Sequence, residues 1–64
     1  MSLRERPIHR YSCLVRIPGS AIAHRYYYED YNSQGAREAI RQQVINAFSQ
    51  IDSRKIKVSK ATRV

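Results

Sequence analysis

Apolar residues recur along this chain at two different periods, and the change of period marks its elements. Ala36, Ile40, Val44, Ala47, Phe48 and Ile51 fall at spacings of three and four, which places them on one face of a helix. An amphipathic helix is therefore predicted over residues 37–51. Arg37, Glu38, Arg41, Gln42, Asn46 and Gln50 cover its other faces, and Ile45 lies off the stripe as a single exposed apolar residue. Asn32 or Ser33 can cap the first free N–H groups, and Asp52-Ser53 marks the end.

Before and after that segment the period is two. Residues 8–17 alternate, with His9, Tyr11, Cys13, Val15 and Ile17 on one face and Ile8, Arg10, Ser12, Leu14 and Arg16 on the other. Pro18-Gly19-Ser20 breaks the run. Alternation resumes over 21–28, where Ile22, His24, Tyr26 and Tyr28 share one face and Ala23, Arg25, Tyr27 and Glu29 the other. A last run over 54–58 points Ile56 and Val58 inward, with Lys55, Lys57 and Ser59 outward. Residues 60–64 either extend that strand or fray as a basic tail.

The first two strands read as a hairpin. A two-residue Pro-Gly loop with L-proline has the wrong twist for a tight turn, so a loop over residues 18–21 is preferred. It sets Ile17 opposite Ile22, Val15 opposite His24, Cys13 opposite Tyr26 and Tyr11 opposite Tyr28. On the outer face it sets Arg10 opposite Glu29, an opposite-charge pair worth about 0.2–1 kcal/mol.

The element order is β-β-α-β, an α+β fold in one small domain. The third strand can pair antiparallel with the free edge of the first, giving a three-stranded antiparallel sheet of order 2-1-3. One helix packs on one face of that sheet and leaves the other face open. The partition is a flexible basic arm over residues 1–7, the domain over 8–60 and a C-terminal tail over 61–64.

Length and charge narrow the function. A 64-residue chain is near the lower limit for independent folding and has little volume for an enclosed active site. Twelve Lys and Arg against five Asp and Glu give a net charge of +7, a balance that favours polyanionic partners. The single Cys13 excludes an intramolecular disulfide. Apolar runs are too short for a membrane-spanning helix, so a cytoplasmic location and no membrane partner are expected.

The alternation gathers the excess charge. Arg10, Arg16, Arg25, Lys55 and Lys57 are placed on the open sheet face with Leu14 and Tyr27, and Glu29 is the one acid among them. Cations meet phosphates by counterion release and an aromatic ring can stack a base, so this face suits RNA or single-stranded DNA. The competing reading is a solvated surface that keeps a small protein in solution. Tyr26 and Tyr28 are assigned to the core beside Tyr11, which leaves Tyr27 for contact. Arg37 and Arg41 are read as exposed, with Glu38 nearby as an ion-pairing partner.

Catalysis and metal binding are set aside, and no cofactor is expected. His9, His24 and Cys13 do not supply the four ligands of a structural zinc site, and a Cys–His pair lacks an orienting group and an oxyanion hole. Two function classes are carried forward. The first is a non-enzymatic nucleic-acid-binding module using the basic sheet face. The second is a protein-interaction module (an inhibitor, an adaptor or a small subunit) docking on an acidic protein partner through a free sheet edge. Charge does not separate RNA from DNA or fix the oligomeric state.

Overall fold

The computed structural model describes residues 7–64. The basic arm expected over residues 1–7 lies outside this range except for Pro7. Strand β1 (His9–Arg16) and strand β2 (His24–Asp30) are followed by helix α1 (Ser33–Ala47). A single 3-10 turn (Ser53–Lys55) then precedes two short strands, β3 (Lys57–Val58) and β4 (Thr62–Arg63). The sheet order is β2-β1-β3, with β4 also on β1, and every pairing is antiparallel.

The hairpin has the register expected from its charges and apolar positions. Arg10 lies opposite Glu29, Tyr11 opposite Tyr28, Cys13 opposite Tyr26 and Val15 opposite His24. The connecting loop turns on Gly19, whose φ of 86° lies in the left-handed region that glycine adopts without steric cost. The ladder stops at Val15 and His24, however. Beyond it Ile17 is buried while Ile22 is 70 % exposed, so the inward position expected for Ile22 is corrected. His24 is exposed as well.

The helix begins four residues before the expected start and ends four before the expected end. Its beginning is set by Asn32, whose Oδ1 accepts the Gly35 N–H at 2.7 Å. Asp30 crowds the same turn: a Cβ on Gly35 would lie 2.8 Å from its Oδ2. At the other end Phe48 leaves helical geometry while its N–H still bonds the Val44 carbonyl at 2.9 Å. A turn follows, closed by the Ile51 N–H on the Phe48 carbonyl at 3.0 Å. Phe48 and Ile51 thereby fold back onto the core from outside the helix.

That core is one cluster between the helix and one face of the sheet. Tyr11, Cys13, Val15 and Ile17 come from the β1 side, Ala36, Ile40 and Val44 from α1, and Ile56 and Ala61 from the C-terminal segment. Tyr26 and Tyr28 pack against it half-buried, as does Ile45, which is therefore not the exposed residue its place off the stripe suggested. Ala47, expected on the buried stripe, is exposed.

The C-terminal segment departs most from expectation. Asp52 folds residues 53–55 into the 3-10 turn by accepting the Arg54 N–H at 3.0 Å and two bonds from its guanidinium, at 3.3 and 3.1 Å. These bonds hold the Asp52 carboxyl below its ordinary range. Strand pairing thus begins at Lys57 rather than Arg54. Residues 61–64, expected as a tail, instead close the sheet: Ala61 is buried, and Thr62 and Arg63 pair with Ser12 and Tyr11.

A bulge separates β3 from β4. Three steps along β1, from Val15 to Ser12, are matched by four on the other side, from Val58 to Thr62. The extra residue exchanges the inward parity, so that even-numbered Val58 and odd-numbered Ala61 can both face the core. Ser59 closes the gap with its side chain. Its N–H bonds the Leu14 carbonyl at 2.8 Å, and its Oγ accepts the Leu14 N–H at 2.8 Å. Arg37 of the helix holds the same point, donating to the Val58 carbonyl at 3.1 Å and the Ser59 carbonyl at 3.3 Å. Arg37 is thus half-buried and committed to the bulge, not an exposed partner of Glu38.

Cys13 sits in the middle of this core at 1 % exposure. Burial pushes its thiol above the ordinary range, and the nearby Arg37 charge offsets this in part. The thiolate that reacts with alkylating agents is therefore suppressed by both access and charge. Iodoacetamide at mildly alkaline pH is expected to leave the native protein unmodified over a time that fully labels a urea-unfolded control. Equal labelling of the two would remove Cys13 from the core.

Candidate nucleic-acid interface

The face away from the helix follows from the strand pairing. Residues paired across a sheet point to the same side, so the partners of outward β1 residues are outward too. Arg10 with Glu29, Ser12 with Tyr27 and Leu14 with Arg25 come from the hairpin, and Arg16 with Lys57 from the other edge. Arg10, Arg16, Arg25, Lys57 and Tyr27 thus share one surface, as the alternation predicted. Lys55 does not join them by strand pairing, because it lies in the 3-10 turn.

Ser12 and Thr62 lie between the cations, with their hydroxyls 3.4 Å apart. Leu14 and Tyr27 remain accessible there, at 42 % and 48 % exposure. Around them the face has two shallow open hollows. One is lined by Arg10, Tyr27, Tyr28 and Glu29. The other, of about 280 Å³, is lined by Leu14, Arg16, Ala23, Lys57, Val58 and Ser59. The second pairs an apolar floor with flanking cations, a combination that accommodates a planar ring beside an anionic group.

The electrostatics of the face differ from expectation at one point. Arg10 and Glu29 are opposite each other but do not form an ion pair. Among the described residues the one ion pair is Arg54 with Asp52, at 3.1 Å. Arg10 instead lays its guanidinium over the Tyr27 ring, 5.0 Å from the centroid. The ring is the diagonal neighbour on the same face, within reach of a long side chain. At an exposed site such stacking is worth about 0.5–1 kcal/mol, comparable to the surface ion pair it replaces. The signal was present in the register, since Arg10 opposite Glu29 implies Arg10 diagonal to Tyr27. Glu29 makes no ion pair among the described residues.

His24 is exposed and Cys13 buried, and no group of three or more His, Cys, Asp or Glu side chains gathers among the described residues. No helix among the described residues is long and apolar enough to cross a membrane. Tyr31, just before the helix, is exposed and lies off the sheet.

No family model, no curated protein and no solved structure matches this chain.

Proposed function

We propose that this chain is a small non-enzymatic nucleic-acid-binding module that lays a single strand across its open sheet face. The observation that carries the reading is the placing of Arg10, Arg16, Arg25 and Lys57 on the sheet face that exposes the Tyr27 ring, with Glu29 as the acid among them. Each part has a physical role. The four cations neutralise phosphates along the strand and release their counterions. Tyr27, backed by the Arg10 guanidinium, offers a stacking surface for a base of any identity. Leu14 and Ala23 give a second base an apolar contact beside Arg16 and Lys57. Nothing in this arrangement reads base edges, so binding tolerates sequence.

The reading is tested by fluorescence anisotropy with labelled single-stranded RNA and DNA oligonucleotides of about 10 nucleotides. About four phosphate contacts on a single strand give a slope of log affinity against log salt near −3. Raising salt from 50 to 200 mM should then weaken binding about 50-fold. Absence of binding to both probes, or binding indifferent to salt, would discard the proposal. If the protein retains an acidic protein while ignoring both oligonucleotides, docking on that partner replaces it.

A further inference from the structure

The two edges of the sheet are unlike. On the β3–β4 edge the strands are two residues each, are separated by a bulge, and carry Lys57 and Arg63. Short strands, bulges and cations are the devices that keep an edge from pairing with another chain. β2, at the opposite edge, has none of the first two. It is seven residues long, contains no proline and pairs with β1 without a bulge.

Its backbone is also aligned for pairing. The Leu14 N–H and C=O turn towards Ser59, and the Arg10 carbonyl accepts the Val64 N–H at 2.9 Å. Even-numbered β1 residues therefore face β3 and β4, and odd-numbered ones face β2. Tyr11, Cys13 and Val15 meet Tyr28, Tyr26 and His24, which turns the N–H and C=O groups of Arg25, Tyr27 and Glu29 to the free edge. Among the described residues nothing pairs there.

The side chains of β2 match their own reversed order. The strand reads His24-Arg25-Tyr26-Tyr27-Tyr28-Glu29-Asp30, positive at one end and negative at the other around three tyrosines. An antiparallel copy centred on Tyr27 sets Arg25 opposite Glu29, His24 opposite Asp30 and Tyr26 opposite Tyr28. Glu29 and Arg25 have no ion-pair partner within the described chain, so both are available for this cross-strand match. In that register the three residues with free backbone groups also face each other, and every N–H finds a carbonyl.

We infer that β2 is a self-pairing edge, through which two copies of this chain join as a two-fold symmetric dimer centred on Tyr27. The two sheets become one, with both helices on the same side and the two open faces continuous. The inference stands on the edge geometry and charge order and does not depend on nucleic-acid binding.

The test is mass against concentration by sedimentation equilibrium, on the full chain without nucleic acid. Wild-type protein should approach twice its 7.5 kDa chain mass as concentration rises. Arg25→Glu and Glu29→Arg should each weaken the dimer at least about tenfold, because each sets like charges opposite one another twice. The combined Arg25→Glu/Glu29→Arg variant should recover it, which a variant that merely misfolds would not. Hydrogen exchange supplies the register. The Arg25, Tyr27 and Glu29 amides should gain protection as the dimer forms, while Tyr26 and Tyr28 stay protected throughout. A protein monomeric at about 1 mM overturns the inference. So does a dimer insensitive to both single reversals, or one whose Arg25, Tyr27 and Glu29 amides stay unprotected, which would place the contact elsewhere.

Discussion

Replacing Ile40 by alanine is expected to leave this domain largely unfolded at 37 °C. Ile40 has no exposed surface and is among the largest side chains fully enclosed by the core. It projects from the middle of α1 into the same cluster as Cys13, Val15 and Ile56. Truncating a buried isoleucine to alanine costs about 2–5 kcal/mol, from lost transfer energy and the cavity left behind. A single core in a chain below about 70 residues supplies about 3–5 kcal/mol in total. The loss is therefore comparable to the whole stability. Leu14→Ala is the control, since Leu14 is partly exposed on the sheet's other face, and it should stay within about 0.5 kcal/mol of wild type. Urea titration followed by circular dichroism measures both. A loss below about 1 kcal/mol for Ile40→Ala would mean that the helix does not seal the sheet. The assignment of the opposite face as open would then fail with it.

The residues that carry this core and the open face were legible in the sequence for one physical reason. Period-two and helical-period patterns each commit a whole element to one orientation. Once Cys13 and Val15 are inward, Arg10 and Arg16 are outward without further information. The hairpin register followed in the same way, because the charges and the apolar positions agreed on one loop length. What the pattern could not convey is where local hydrogen bonding overrides it. Asp52 bonding to Arg54 winds a turn through residues that alternate like a strand, and this takes Lys55 out of the strand pairing. The bulge at Ser59 breaks parity so that Ala61 is buried, and the cation that steadies it, Arg37, comes from a helix position that looks solvated. Both departures depend on side chains bonding main-chain groups, which leaves no mark on hydrophobic periodicity. The Arg10–Tyr27 stack is of another kind. It is implied by the register, because a residue opposite Glu29 is diagonal to Tyr27 on the same face.

Reversing two cations of the open face, Arg25→Glu with Lys57→Glu, is expected to abolish oligonucleotide binding while the fold survives. The two lie on opposite sides of Leu14 and Arg16, one on β2 and one on β3, so a strand crossing the face meets both. Each substitution removes a phosphate contact and adds a repelling charge, taking the net charge from +7 to +3. Affinity at low salt should fall at least about 100-fold, and the slope of log affinity against log salt should flatten from near −3 to about −1. Both residues are exposed, so urea stability should change by less than about 0.5 kcal/mol. That separates lost binding from lost structure. Tyr27→Ala tests the other half of the face. It should weaken binding by about 1–3 kcal/mol with the salt slope unchanged, because stacking releases no counterions. If the double reversal binds as wild type does, the strand does not lie on this face. If Tyr27→Ala flattens the slope instead, the ring acts by positioning Arg10 and not by stacking a base.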